Sequence, residues 1–459
     1  MCFIGREREL ARIKKLIEHK GQQNALVYGR RRVGKSALLK QALQESSVTS
    51  IYYECRQTSE KDNINGIMGV LTEALGCPPL AFDNFHALLE YLFDKASSKN
   101  MVLVIDEYSY LRDAVAGLDS IFQSAIDAHR ESSRLKIILC GSYVNVMKSL
   151  LTSGNPLYGR FDLSMQLAPM DYYDAAKFYP SFSSEDKVRL YSIFGGIPYY
   201  NRLINQNASV RENIIELVTE QDARLENEIP LYLNSELSKM TNANEVFGAL
   251  SQGYSKWRDL LDQSHVSSGQ TMTDVLSKLI AMELVQRQAP INDPQNKRKA
   301  GYFICDQLAL FYYRYVFRYV SQRQVLDPEV FFDRYVRDDF EEWYVPHMFE
   351  EVCKQYLIRQ NRAGNIEPAF DLIGKYWYDD PKNRTNGEFD IVTQDPQGYV
   401  FYETKFKKTP LTQKQIQEEI DQVNVTGLTC RAYGFISRGG FKGINRDDVI
   451  LIGLEELYK

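Results

Sequence analysis

Asn24-Ala25-Leu26-Val27-Tyr28-Gly29-Arg30-Arg31-Arg32-Val33-Gly34-Lys35-Ser36-Ala37-Leu38-Leu39 decides the reading of this 459-residue chain. Residues 29–36 fit G-x-x-x-x-G-K-[ST] at every fixed position. The apolar run at 25–28 predicts a buried strand before the loop, and the helix formers of 37–43 predict a helix after it. A loop so placed points successive backbone N–H groups at a phosphate, and the helix N-terminus adds its dipole. Gly29 and Gly34 permit the tight path, Lys35 reaches the β- and γ-phosphates, and Ser36 offers a hydroxyl to Mg²⁺. The expected cradle therefore runs through Gly29, Arg30, Arg31, Arg32, Val33, Gly34, Lys35, Ser36 and Ala37, and its expected ligands are ATP and Mg²⁺.

The chain as a whole sets limits on what surrounds that loop. Its length leaves room for about three domains. With 44% hydrophobic and 25% charged residues, it is globular in composition rather than disordered. A net charge of −5 excludes a globally basic nucleic-acid binder, so any basic surface must be local. Seven scattered cysteines without a C-x-x-C point to reduced thiols, not a disulfide frame or a zinc site. Arg6-Glu7-Arg8-Glu9 follows no apolar run, so no signal peptide is expected. The most apolar long segment, 308–320, is interrupted by Arg314 and Arg318 and is too short to cross a bilayer. The expected location is the cytoplasm, without membrane contact.

Upstream of the loop, Leu10, Ile13, Leu16 and Ile17 recur at helical spacing, entered through a turn at 3–6 that would border the adenine. Downstream, Met101-Val102-Leu103-Val104-Ile105-Asp106-Glu107 has the form of a parallel strand buried on both faces and closed by two carboxylates. Open α/β sheets bind ligands at that end of their strands. Asp106 is expected to hold Mg²⁺ through water, and Glu107 to orient or deprotonate the attacking water. A second buried strand ends at Gly141-Ser142, with Ser142 placed to sense the γ-phosphate or the water. Arg160 lies in the turn-rich stretch 155–161, where it could stabilise transition-state charge in cis or from a neighbouring subunit. A solvated loop arginine is the competing reading. Gly195-Gly196-Ile197-Pro198 separates two helical stretches by a fixed turn.

Taken in order, F-I-G-R-E-R-E-L at 3–10, G-R-R-R-V-G-K-S at 29–36, L-V-I-D-E-Y at 103–108, L-C-G-S at 139–142, L-Y-G-R-F at 157–161 and G-G-I-P-Y-Y at 195–200 resemble the mainly archaeal ATPase family grouped with the STAND and AAA+ P-loop ATPases. The resemblance covers residues 1–235 and continues toward the C-terminus. It implies that Gly5 and Arg6 border the nucleotide, that Ser142 is the sensor, that Arg160 is an arginine-finger candidate and that Pro198 packs near the base. It also implies slow hydrolysis used as a switch rather than a motor.

Residues 243–310 change character. Val246, Leu250 and Tyr254 begin one helix, 255–261 suggest a second, and 268–285 supply a third with Val275, Leu276, Leu279 and Ile280 as its apolar face. Segments 284–288 and 301–305 then read as a hairpin whose tip carries Lys297-Arg298-Lys299. Three helices and a basic-tipped hairpin make a winged helix. Its third helix could enter a DNA major groove while the wing meets phosphate; packing against the ATPase as a lever is the alternative.

Aromatic-rich helical linkers at 308–320 and 331–344 lead to a final α/β segment. There Asp395-Pro396-Gln397-Gly398 is a turn, so Gln394 should pair with Tyr399. That register sets Asp390 opposite Glu403, Glu388 opposite Lys405, and Lys405 two residues beyond Glu403 on the same face. Facing carboxylates repel, and a divalent metal would relieve them. D-x₁₂-E-x-K on a hairpin resembles the PD-(D/E)xK nuclease core. The resemblance implies Asp390 and Glu403 as Mg²⁺ ligands, Lys405 as the residue that positions water or stabilises the phosphorane, Glu350 as an accessory acid, and Gln415 as a weaker match. The chemistry would be metal-assisted phosphodiester hydrolysis.

The expected architecture is α/β: a P-loop ATPase core at 1–170 with a parallel sheet, a helical lid at 171–240, a winged helix at 241–310, a helical linker at 311–345 and a restriction-nuclease-like domain at 346–459. The expected function is an ATP-controlled switch acting on nucleic acid, DNA being reached through the winged helix and the C-terminal domain. Two rivals stand beside it: a scaffold ATPase whose C-terminal domain binds without cutting, and an AAA+ remodeller that assembles with nucleotide.

Overall fold

Two strands with no exposed residue, β3 (Met101–Asp106) and β4 (Leu135–Gly141), anchor the first half of the chain. Side chains buried on both faces require helices on both sides of a parallel sheet. The computed structural model describes residues 3–237, 241–296, 298–380, 385–426 and 430–459. These form two compact units, 1–169 with 197–199, and 170–196 with 200–459.

In the first unit β1 (Gln23–Tyr28), β2 (Thr49–Glu54), β3, β4 and β5 (Leu163–Gln166) make one parallel sheet in the order β2-β3-β4-β1-β5. The apolar run before the glycine loop is β1, and α2 (Lys35–Gln44) follows it as expected. The helices Glu60–Leu75 and Phe85–Lys95 start on Ser59 and Asn84, whose side chains accept from the backbone N–H of the third helical residue, Asp62 and Ala87. They bury Ile64, Leu71, Leu88 and Leu92 against the sheet. Each such side chain contributes about 1.5–3 kcal/mol when fully buried. The first helix, Glu7–Ile17, buries Ile13, Leu16 and Ile17.

The second unit begins with helices Tyr172–Ala176 and Ser184–Phe194. Tyr172 donates to the Leu457 carbonyl at 2.5 Å, Ser184 to Glu455 at 2.7 Å, and Arg359 to Asp171 at 2.9 Å. The segment expected as a lid is therefore built into the same body as the C-terminal strands. Helices Thr241–Ser251, Trp257–Gln263 and Gly269–Ala281 are followed by the antiparallel hairpin Val285–Gln288 with Gly301–Ile304, the element order expected over 241–310. Its third helix is rotated from the expected face: Met272, Leu276 and Leu279 are buried, and Ile280 is exposed. Spacing of 4 and 3 residues keeps those three side chains on one stripe, which Ile280 overshoots. Phe311, Tyr313, Tyr315, Phe340 and Tyr344 of the linkers form aromatic core.

The last segment has helix Val345–Arg362 and a five-stranded mixed sheet. In chain order its strands are β6 (Leu372–Asp380), β7 (Thr385–Asp395), β8 (Gly398–Lys405), β9 (Cys430–Ser437) and β10 (Val449–Gly453), placed side by side in sequence order from β6 to β10. The first three are antiparallel, the last three parallel, and helix Gln413–Val425 makes the crossover. No helix among the described residues is long and apolar enough to cross a membrane.

Candidate functional site

Because β4 lies between β1 and β3, the residues that follow these three strands come together at one end of the sheet. Lys35 and Ser36 arrive from β1, Ser142 from β4, and Asp106 and Glu107 from β3. Ser36 Oγ donates to Asp106 Oδ2 at 2.7 Å. Tyr52, from β2, donates to the same oxygen. Asp106 is only 1% exposed. Burial alone would raise its pKa, but the Cys140 thiol, Tyr52, Ser36 and the Glu107 N–H outweigh burial and hold the carboxyl below its usual range. A charged aspartate beside a serine hydroxyl is a hard oxygen-donor pair of the kind Mg²⁺ prefers.

Glu107 takes a left-handed conformation (φ 52°) immediately after β3. Its carboxylate accepts from Ser142 Oγ at 2.7 and 2.8 Å and from the Ser142 N–H at 3.3 Å. Ser142 is 2% exposed, so this contact is shielded from water. Two expected site residues thus meet directly, with Ser142 fixing the orientation of the glutamate.

The loop itself is braced on every side. A Cβ at Gly29 would lie 2.4 Å from the Leu167 carbonyl oxygen, so only glycine permits that approach. Gly34, at φ 99°, opens α2 and lies against Pro198, whose Cγ would be 3.6 Å from a Cβ there. Lys35 Nζ donates to the carbonyls of Gly29 and Arg30 at 2.8 and 3.1 Å. Val33 and Arg30 are buried, whereas Ala37 is exposed. The side chain of Arg31 donates to the Tyr143 hydroxyl at 2.9 Å, and the guanidinium of Arg32 sits 4.2 Å over the Tyr199 ring. Arg6, held at φ 67° next to Gly5 at φ 66°, donates to the carbonyls of Ala168 (2.6 Å) and Val33 (3.3 Å). Its side chain braces the loop's backbone. These contacts of Tyr52, Tyr143 and Tyr199 were not anticipated: strand periodicity marks Tyr52 only as in or out, and Tyr143 and Tyr199 meet the loop from segments distant in sequence.

Arg160 is elsewhere. Its carbonyl accepts from Asn24 at the start of β1, four residues and roughly 15 Å of strand from the loop. Its guanidinium forks onto Asp127, at 2.7 Å for the shortest contact. An arginine so placed does not reach its own phosphate loop, which speaks against the cis role and leaves the neighbouring-subunit role and the competing reading of an ordinary loop charge.

In the C-terminal sheet the expected register is found: Gln394 pairs with Tyr399 and Ile391 with Tyr402. Asp390 and Glu403 follow next in that register, close enough that Asp390 raises the Glu403 pKa. Glu403 is pushed up to about 7, by burial first and then by Glu419 and Asp390, against the opposing pull of Lys405. Lys405 Nζ lies 2.5 Å from Glu403 and 2.9 Å from Glu419. The expected Glu388–Lys405 pair does not form. Lys375 on β6 takes Glu388 and Asp390 instead, each at 2.8 Å, because β7 is flanked on that side by β6. Burial would lower the Lys375 ammonium, but the two carboxylates outweigh it and hold it above the ordinary lysine range. Glu350 pairs with His347 at 3.5 Å, and Gln415 is committed to a capping box with Thr412. Among the described residues no three His, Cys, Asp or Glu gather as a metal centre.

The wing is engaged as well. The Ile291 N–H donates to the Lys375 carbonyl at 2.8 Å, and Asn292 exchanges hydrogen bonds with the Trp377 backbone at 2.7 and 3.2 Å. Lys299 pairs with Asp293 and lies 3.8 Å over the Trp377 ring. Ile291 and Asn292 of the wing thus bond to the edge strand β6 and Lys299 covers its Trp377, while Arg298 is exposed; Lys297 falls outside the described residues. The exposed face of the third helix offers Gln270, Thr273, Asp274, Ser277 and Lys278, a set without basic excess.

The sheet order and the convergence of Lys35, Ser36, Asp106, Glu107 and Ser142 define a P-loop ATPase domain. Residues 3–203 match a family described as an ATPase domain predominantly from Archaea, and the protein is an ATPase. Residues 312–420 match a family of "Archaea bacterial proteins of unknown function". The chain is 25% identical over 411 residues to an uncharacterised protein of Methanocaldococcus jannaschii, with 88% of each chain covered. It is 24% identical over 281 residues to an uncharacterised ATP-binding protein of the same organism, covering 49% of this chain and 75% of that one. In fold it is similar to the Walker-type ATPase of Pyrococcus abyssi, with a TM-score of 0.51 and 18% identity, over 68% of this chain and 96% of that one.

Proposed function

We propose that this chain is an ATP- and Mg²⁺-dependent switch whose C-terminal domain acts on nucleic acid in the cytoplasm. The observation that carries the switch is the shielded Glu107–Ser142 contact beside the Ser36–Asp106 pair. ATP would lie along the loop from Gly29 to Ala37, bordered by Gly5, Arg6 and Pro198. Ser36 and Asp106 would hold Mg²⁺, which supplies charge neutralisation at the β- and γ-phosphates. Glu107 would orient or deprotonate the attacking water, and Lys35 would take charge from the γ-phosphate. Seven scattered cysteines without a C-x-x-C support the cytoplasmic reading.

For the output, Asp390, Glu403 and Lys405 on one hairpin support a PD-(D/E)xK-like domain, with Asp390 and Glu403 as metal ligands and Lys405 beside the scissile phosphate. Lys407, Lys408 and Lys442 support a nucleic-acid partner: all three are exposed beside that hairpin. Their loop is held by bonds from Arg438 N–H to Lys405 (3.0 Å) and from Leu411 N–H to Gly440 (2.9 Å).

A second reading, binding without cleavage, is favoured by one contact: Lys375 already neutralises Asp390 and Glu388. Supercoiled plasmid incubated with the full chain, Mg²⁺ or Mn²⁺, and ATP or ADP separates the two. Nicking that Asp390→Ala abolishes while ATP hydrolysis persists supports an effector nuclease. Plasmid retardation without nicking in every nucleotide state establishes the binding reading, and neither effect refutes a nucleic-acid role. Sedimentation with ATP and with ADP tests the remodeller, in which Arg160 would serve a neighbouring subunit.

A further inference from the structure

The three residues around the prospective metal position are not the pair that the motif supplies but a triangle. Tyr52 projects from β2, two residues before the position paired with Asp106, and its hydroxyl donates to Asp106 Oδ2. Ser36 donates to that same oxygen at 2.7 Å, and the Tyr52 hydroxyl also interacts with Ser36. The phenol is fixed at its other end: Lys40, one turn along α2 from Ser36, lies 4.8 Å from the ring centroid. Nothing in the Walker-type motif specifies this tyrosine.

We infer that Tyr52 is a positioning residue for the nucleotide-bound Mg²⁺. This rests on the reading of Ser36 and Asp106 as the Mg²⁺-holding pair. Ser36 would offer an oxygen lone pair to the cation while its proton stays on Asp106 Oδ2, and Tyr52 donates to that same oxygen from β2. Two donors on one carboxylate oxygen hold it in a single orientation, and the Tyr52 bond makes no demand on the cation. Partners that orient groups around a metal commonly set its affinity, and their loss costs about 10-fold or more. Lys40 and the ring form a lever from α2, so the phenol is presented in one orientation before the cation arrives.

The test is Tyr52→Phe, which removes only the hydroxyl, in the full chain. Binding of a fluorescent ATP analogue is titrated in EDTA and then at increasing Mg²⁺. Expected is unchanged affinity in EDTA and a half-saturating Mg²⁺ concentration raised about 10-fold. Unchanged affinity in EDTA also shows that the variant is folded at the site. A Mg²⁺ midpoint equal to or below that of the unmodified protein overturns the inference. Ser36→Ala in the same titration tests the underlying reading separately. If it leaves the Mg²⁺ midpoint unmoved, the assignment of the metal-holding pair fails; if it shifts the midpoint while Tyr52→Phe does not, only the role of Tyr52 fails.

Discussion

Removing the Ser142 hydroxyl tests the catalytic geometry most directly. Ser142→Ala deletes the Oγ contacts of 2.7 and 2.8 Å to Glu107 and leaves the backbone N–H at 3.3 Å in place. One hydroxyl proton cannot serve both carboxylate oxygens at full strength, so a single hydrogen bond to a charged group is lost. Such a bond is worth about 1.5–3 kcal/mol. The surviving N–H keeps part of the orientation, which places the effect at the low end of that range, a fall of roughly tenfold in the chemical step. ATP affinity should stay constant, because Lys35 and the loop backbone are untouched. Single-turnover hydrolysis at saturating ATP and Mg²⁺ isolates that step from product release. A rate within twofold of the unmodified protein, or a faster one, would refute the reasoning. A faster rate would mean that Ser142 restrains Glu107 rather than aiming it.

Two further outcomes follow from the loop and the hairpin. Lys35→Ala should abolish ATP binding measured by calorimetry, since no other cation enters the loop from α2; retained binding would contradict the assignment of the loop. Glu403 has its pKa raised from 4.5 to about 7 in the fold, so its contribution to stability is full below 4.5 and is lost as pH rises through 7. Glu403→Gln cannot ionise. Its melting temperature should therefore gain on the unmodified protein between pH 5 and pH 8, a trend that differential scanning calorimetry at the two pH values would detect or exclude.

Local pattern carried the reading where one stretch of chain builds the feature. The loop was legible because its motif matches at every fixed position, and β3 because five apolar residues closed by two carboxylates suit a doubly covered strand. The hairpin register was legible because the turn at 395–398 fixes every later pair by counting. What escaped were the partners chosen by strands distant in sequence. Lys375 captured Asp390 and Glu388 because β6 became the neighbour of β7, an adjacency that no local period encodes. Tyr52 escaped for the same reason, lying on β2 beside β3 across a long crossover. Ile280 was misplaced by a single step of helix, where periods of three and four residues compete for the same stripe. Arg160 is a different case: the end of the sheet at which its loop sits depends on the pairing of β5 with β1, which the local sequence does not encode.

The same distinction bears on how a signal would leave the loop. Ile197–Tyr199 clusters with the first unit, while Gly196 and Tyr200 on either side of it belong to the second. Both flanks are fixed: a Cβ at Gly196 would meet the Met170 backbone at 1.8 Å, and Tyr200 donates to Glu228 at 3.0 Å. Between them Pro198 lies against Gly34, and Tyr199 against Arg32, which is itself held at φ 66°. A three-residue connector pinned at both ends has little slack. A change of backbone conformation at Arg32 or Gly34 on nucleotide binding would meet Pro198 and Tyr199 first. Those flanks lie in the body that holds the helices at 171–194 against residues 455–457 by the Tyr172 and Ser184 bonds.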